Sequence, residues 1–365
     1  MSEKKLEYGL SPEKTANSID PPAVDYFPPK PKSYHPAIAL IGTGGISEYH
    51  LRNYQKAGYR VTALANRTIE KAEALRDQFS PEAKVYQDYR EILALDDIHV
   101  VDVTPHPADR LPILYDCLLA EKHTLSQKPF VIDVKEGKKL AELADQRRIK
   151  LAVNQNGRWA PHFSYIRNAV KQGLIGEVTS IDFSLQWDQT WIQGIPSFEE
   201  MKHLILFDFA IHWFDISACI MGGQKPRSIF ASVARHAGQV FKPPALASVL
   251  IEYPETQVRM SFNAHCMQGE EDVTTVVGTK GTLRSRGPGL NEQSSMDLFL
   301  EKGSATIPLH GSWFESGFQG SMGEMLCSIE ESREPYHNAR NNLKTLELCF
   351  AAQKSADMGI PVRFG

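Results

Sequence analysis

The chain has 365 residues and a formal balance of 40 Lys plus Arg against 44 Asp plus Glu, or −4. That length suits two domains, and 42% apolar with 23% charged residues excludes a disordered or fibrous chain. No basic stripe is present, which argues against a nucleic-acid partner.

Residues 1–36 are polar and Pro-rich, so they cannot enter a sheet interior or a long helix. They are predicted to form an extended arm, anchored by Val24, Tyr26 and Phe27 to the body or to another subunit. Folded sequence starts with Ala37-Ile-Ala-Leu-Ile41, a continuous apolar run typical of a strand buried on both faces. A helix is predicted from Ile46 to Ala57, a strand from Arg60 to Ala65 and a helix from Ile69 to Phe79. A short helix at Glu91 to Leu95 precedes a third strand at Val100 to Val103. Then come a helix from Pro107 to Glu121, with proline where its missing N–H does no harm, and a strand from His123 to Ser126. A helix from Lys135 to Arg148 and a strand from Lys150 to Asn154 complete the series. Strands alternating with helices of this length imply a doubly wound parallel sheet over residues 37–154.

The rhythm changes in residues 155–365. A helix at Pro161 to Gln172 leads into a strand with alternating Ile181, Phe183 and Leu185. Alternating strands then follow at 228–234, 247–253, 257–264, 272–277 and 281–285, which predicts an open, mostly antiparallel sheet with one covered face. Residues 320–358 read as helical. Leu204 to Met221 is apolar and nearly long enough to span a bilayer, but Asp208, His212 and Asp215 interrupt it. It is read as a buried helix with a polar stripe aimed at a cavity, and no membrane partner is expected. The five cysteines are scattered without a C-x-x-C pair and the N-terminus has no apolar signal core. Reduced thiols, no metal and a cytoplasmic location are therefore expected.

Gly42-x-Gly44-x-x-Ser47 lies between a predicted strand and a predicted helix. Gly42 permits the tight turn, Gly44 lets backbone approach a pyrophosphate, and the helix N-terminus offers free N–H groups. Thr43, Gly45 and Ile46 belong to the same turn. The second strand ends in Asn66-Arg67 rather than in a carboxylate that would hold ribose hydroxyls, so NADP is favoured over NAD, with Arg67 as the phosphate reader. Ser126-Gln127-Lys128-Pro129 follows a strand end, where doubly wound sheets place ligands. Asp208 and His212 stand four apart on one predicted helix face. A lysine, a histidine and a carboxylate in one cleft suit hydride transfer from a secondary alcohol. The histidine takes the hydroxyl proton, the lysine polarises the oxygen, and the carboxylate orients the histidine or the substrate. Trp191, in a polar loop, is a candidate platform for a sugar ring.

This order of motifs resembles the glucose–fructose oxidoreductase/inositol dehydrogenase (Gfo/Idh/MocA) family. The resemblance rests on Gly42–Ser47, Gln127-Lys128-Pro129, Asn156-Gly157-Arg158 with Trp159, Asp208-x-Ala210-x-His212, Ile175-Gly-Glu-Val178 and Gly359-Ile-Pro-Val362. It implies an N-terminal Rossmann domain with a C-terminal open sheet, and a catalytic trio of Lys128, Asp208 and His212. It places Gln127, Lys128 and Pro129, with Thr104, Pro105 and His106, at the cofactor, and Asn156, Arg158 and Trp159 beside the substrate. The implied substrate is a sugar, sugar derivative or cyclitol, and the implied assembly a homodimer or homotetramer, with the Pro-rich arm embracing a neighbour. Gln127 departs from the family's customary glutamate, which removes a negative charge beside Lys128. Two other activities fit the same motifs. One is a redox-neutral glycosidase or epimerase with retained cofactor. The other is a non-catalytic nucleotide-sensing regulator.

Overall fold

The computed structural model describes residues 17–365. Six strands, β1 (Ala37–Ile41), β2 (Val61–Ala65), β3 (Lys84–Tyr86), β4 (Ile98–Val103), β5 (His123–Gln127) and β6 (Leu151–Asn154), form an all-parallel sheet in the order β3-β2-β1-β4-β5-β6. Helices α1 (Gly45–Ala57), α2 (Ile69–Phe79), α3 (Tyr89–Leu93), α4 (Pro107–Leu119) and α5 (Val134–Arg147) alternate with the strands. All five residues of β1 are buried, as the continuous apolar run requires. The strand order reverses between β1 and β4, and the C-terminal ends of β1, β4 and β5 deliver Gly42, Thr104 and Lys128 to the crevice there. The sequence reading passed over β3, so the predicted third strand is the fourth. β3 has only three residues, at a sheet edge, too few for periodicity to register.

The second sheet has nine strands in the order β14-β13-β12-β11-β7-β10-β9-β8-β15. They are β7 (Val178–Gln186), β8 (Ser228–Ala234), β9 (Leu246–Glu252), β10 (Gln257–Asn263), β11 (Glu271–Gly278), β12 (Gly281–Gly287), β13 (Ser295–Leu300), β14 (Gly303–Pro308) and β15 (Val362–Arg363). All neighbours pair antiparallel except β7 and β10, which run parallel. Along β10 burial alternates residue by residue, so one face is covered and the other open. The β13–β14 hairpin was not read from the sequence.

Helices α6 (Pro161–Lys171), α7 (Pro196–Glu199), α8 (Ile211–Ile220), α9 (Trp313–Glu330) and α10 (Ala339–Met358) complete the chain. The single helix predicted over 204–221 is two pieces. Ile205–Phe209 is a π-helical turn, closed by Ala210 N–H donating to the Ile205 carbonyl at 2.7 Å, and α8 follows it. Helix α9 crosses back to the first sheet: Met322, Met325 and Leu326 share a core with Ile38, Leu40, Leu64 and Val100. The C-terminal helices therefore do not belong wholly to residues 155–365 as a separate body.

The described part of the arm, residues 17–36, lies on its own chain. Ile19 N–H donates to the Ser304 carbonyl and Ser304 N–H to the Asn17 carbonyl, extending the edge at β14. Val24 and Tyr26 are buried, and the Tyr26 hydroxyl accepts from His310 N–H at 3.1 Å. Phe27, expected as an anchor, is exposed and only stacks on Tyr26. Glu330 then receives the backbone N–H groups of Lys32, Ser33 and Tyr34. Residues 17–36 thus make these contacts within the chain. Residues 1–16 of the predicted arm lie outside the described residues.

Candidate active site

Gly42 adopts φ +93°, and a Cβ there would stand 2.8 Å from both Pro105 Cδ and Thr104 Oγ1. Only glycine meets both conditions. Ser47 is fully buried; its hydroxyl donates to the Gly42 carbonyl at 3.0 Å and pairs with Thr104 Oγ1. It does what a third glycine would do, letting α1 sit tightly on the sheet, and adds a tie to the β4 loop. Helix α1 has no side-chain cap at Gly44. Among the described residues no acceptor takes the Gly45 or Ile46 N–H, and Cβ atoms built on Gly44 or Gly45 would meet nothing within 4 Å. Free helix-start amides facing open space are what a pyrophosphate requires. The residues present fit a dinucleotide. At the end of β2, Asn66 turns its amide onto the Thr68 carbonyl, while Arg67 is exposed and has no carboxylate partner among the described residues.

Lys128 stands after β5, with a cis bond to Pro129. Its Nζ lies 3.2 Å from Asp208 Oδ1 and donates to the Asp208 carbonyl at 2.8 Å. Both side chains are about one-sixth exposed (17% and 16%), so the pair remains within reach of a ligand. His212 comes next along the chain. Its Nδ1 is buried without a partner beside Gly157, where a Cβ would come 3.5 Å from Nδ1 and 3.0 Å from Trp313. The Trp313 ring meets the imidazole edge-on at 5.3 Å between centroids. Nε2 makes no hydrogen bond among the described residues, and the residue is only half-buried. Burial, and secondly the Lys128 ammonium, push the His212 pKa well below its usual value. The imidazole is neutral at neutral pH.

Asp208 does not bond His212, although four residues separate them. The π-helical turn offsets the two, and the carboxylate is taken by Lys128. Arg158 also departs from expectation. It forms a bidentate pair with Asp215 (2.6 and 2.7 Å) and donates to the Tyr336 carbonyl, so its donors are committed to packing. Burial alone would lower its pKa, but Asp215 more than offsets this and raises it. Asn156 accepts from Trp313 Nε1 at 3.2 Å, and Trp159 is buried against α9 at Gly320. The segment 156–159 therefore supports the wall behind His212. Arg158 and Trp159 line a separate groove of about 1060 Å³ that contains none of Lys128, Asp208 and His212. Trp191 is exposed and packs edge-on against Phe198. Thr104 is spent on Ile41, Gly42 and Ser47, Pro105 walls Gly42, and His106 is exposed at the start of α4. Gln127, expected at the cofactor, is buried with its amide turned inward onto His50. Sequence reasoning missed His50, Asp102, Arg110 and Trp313. No motif flags them, because their partners are remote in sequence.

Residues 37–155 match the family model described as an oxidoreductase family with an NAD-binding Rossmann fold, and residues 163–284 match the GFO/IDH/MocA C-terminal domain. A D-apiose dehydrogenase from Paraburkholderia graminis is 23% identical over 343 residues, 88% of each chain. An inositol 2-dehydrogenase from Rhizobium meliloti is 22% identical, covering 87% of this chain and 96% of its own. Among solved structures, an oxidoreductase from Agrobacterium radiobacter in complex with NAD+, L-tartaric acid and magnesium superposes with a TM-score of 0.81 at 20% identity, covering 90% and 98%. A levoglucosan dehydrogenase in complex with NADH and levoglucosan gives 0.78 at 17%, covering 90% and 99%. Among the described residues no helix is long and apolar enough to cross a membrane.

Proposed function

Since the chain belongs to the Gfo/Idh/MocA oxidoreductase family, we propose that it is an NAD(P)-dependent dehydrogenase or reductase acting on a secondary alcohol or ketone of a sugar, sugar derivative or cyclitol. The observation that carries this reading is a neutral His212 that feels the charge of Lys128, itself paired with Asp208, at the same C-terminal edge of the parallel sheet as the open glycine turn. The sugar and cyclitol activities named for relatives of matching length support the substrate class.

The bound dinucleotide supplies the hydride acceptor or donor. In the oxidative direction the substrate's carbinol C–H and O–H bonds break and a C=O bond forms. His212 Nε2 receives the hydroxyl proton. Lys128 holds the substrate oxygen and stabilises its developing negative charge. Asp208 anchors the lysine ammonium by its carboxylate and its carbonyl. His212→Ala and Lys128→Ala should each cost about 10²–10⁴-fold in turnover while leaving dinucleotide affinity nearly intact. Near-normal turnover in both would refute the assignment.

NADP is favoured over NAD on the strength of Arg67, exposed and unpaired where a ribose-binding carboxylate would stand. Arg67→Ala should raise the Kd for NADPH at least tenfold with little change for NADH. Equal affinities in the unmodified protein would refute that preference. We place the protein in the cytoplasm, on its five unbridged cysteines. Self-association as a homodimer or homotetramer is assigned to the open sheet face, where Phe230 and Phe299 are exposed; size-exclusion chromatography with light scattering tests it.

A further inference from the structure

Arg110, in the first turns of α4, is 1% exposed and has no carboxylate partner among the described residues. An unpaired guanidinium is expensive to bury, and burial pushes its pKa down to about 9 against the pull of Asp102 and Asp208. All its hydrogen bonds go to backbone carbonyls. Nε and Nη2 donate to Pro105 O at 2.8 and 2.5 Å, and Nη1 donates to Pro129 O at 2.5 Å and to Gln127 O. These carbonyls belong to the loop after β4, the last residue of β5 and the loop after it, and two of them flank Lys128 on either side.

From beneath, the Gln127 side chain reaches the same residue. Its Oε1 accepts Lys128 N–H at 2.6 Å. That bond settles the amide's orientation, because the reverse would set two donors against each other. Gln127 Nε2 must then donate to His50 Nε2, 2.9 Å away. His50 Nε2 is therefore unprotonated, and the ring's one proton is on Nδ1, donated to Asp102 Oδ2 at 2.6 Å. The Tyr54 hydroxyl donates to the same oxygen at 2.6 Å, and Asn154 Nδ2 stands 3.2 Å from His50 Nε2. A glutamate at position 127 would reverse this logic by calling for a proton on Nε2.

We propose that Arg110 and the Gln127–His50 pair are positioning residues for Lys128, a buried clamp that fixes the lysine's backbone from both sides and locks the β4 loop to the β5 loop. The proposal rests on the assignment of Lys128 to the reaction. Gln127 acts through the Lys128 amide and Arg110 through the flanking carbonyls, so neither touches substrate.

The test is a double-mutant cycle on the full chain. Arg110→Lys keeps the charge and loses the fork; Gln127→Leu keeps the bulk and loses both hydrogen bonds. Rates are measured with NADP or NAD on D-apiose, myo-inositol and levoglucosan, and normalised to functional sites counted by NADPH or NADH fluorescence titration. Each variant should lose 10- to 100-fold in kcat, with dinucleotide Kd changed less than threefold. In a Lys128→Met background neither should cost anything further. Losses that recur in full in that background, or an unchanged kcat in both single variants, overturn the clamp. Lys128→Met with unimpaired turnover overturns instead the functional reading beneath it. Independently of turnover, ¹⁵N NMR should show His50 protonated at Nδ1 alone in the unmodified protein and at both nitrogens in Gln127→Glu. An Nε2 proton in the unmodified protein overturns the Gln127–His50 half.

Discussion

Asp272 offers a quantitative test of how this second sheet is held. It lies on β11, fully buried, with Oδ2 accepting from Gln293 Nε2 at 2.9 Å and Oδ1 without a partner. Burial pushes its pKa up to about 8, and the Gln293 hydrogen bond only partly opposes this. In the unfolded chain an aspartate titrates near ~3.9. Between these values the unfolded state has released its proton and the folded state still holds it. Stability therefore falls as pH rises from about 4 to about 8. At about 1.4 kcal/mol per unit, the contribution lost by pH 7 is on the order of 4 kcal/mol. Asp272→Asn keeps the shape and a partner for Gln293 but cannot ionise. The variant and the unmodified protein should melt together near pH 4–5 and separate as pH rises, the variant standing several degrees higher by pH 8. Differential scanning calorimetry across that range is the assay. Parallel profiles from pH 5 to 8 would refute the reasoning, since they would mean that Asp272 carries the same charge in both states.

Gly42→Ala should abolish dinucleotide binding and destabilise the chain by about 1–3 kcal/mol, since its Cβ would meet Pro105 and Thr104 at 2.8 Å in a left-handed backbone; fluorescence titration and a melting curve check both. Asp215→Ala should cost about 3–5 kcal/mol, because it strands the buried Arg158 guanidinium and removes the acceptor of Thr345 Oγ1; the loss reads out in chemical denaturation. Glu330 is held at about 2 by the hydroxyl of Ser33 first and by backbone N–H groups of residues 32–34. Arm docking should be complete above about pH 4.5 and fade as pH falls towards 2, and Glu330→Gln should reproduce that release at neutral pH as faster proteolysis within residues 20–36.

Much of this protein follows from local pattern. The run Ala37–Ile41 is apolar at every position, as suits a strand buried on both faces, and Gly42 at its end makes the tight turn expected there, with φ +93°. The alternation in β7 and β10 likewise announced a sheet with one covered face. Lys128, Asp208 and His212 were legible as candidates because their spacing sets them on a strand end and a helix face. What local pattern could not specify was partnership. Asp208 could pair with His212 or with a lysine 80 residues earlier, and a π-helical turn decided for Lys128. Arg158 appeared to be a substrate ligand until Asp215, 57 residues on, claimed it. Arg110 and His50 carry no motif, yet among the partners that the packed chain brings to them are the carbonyls beside Lys128 and the Gln127 side chain. Periodicity reports which face of an element is covered, and so the sequence by itself determined the fold class and those elements long enough to show a period. A buried polar group must find its hydrogen bonds wherever the packed chain brings them, and that choice exists only once the tertiary structure has formed.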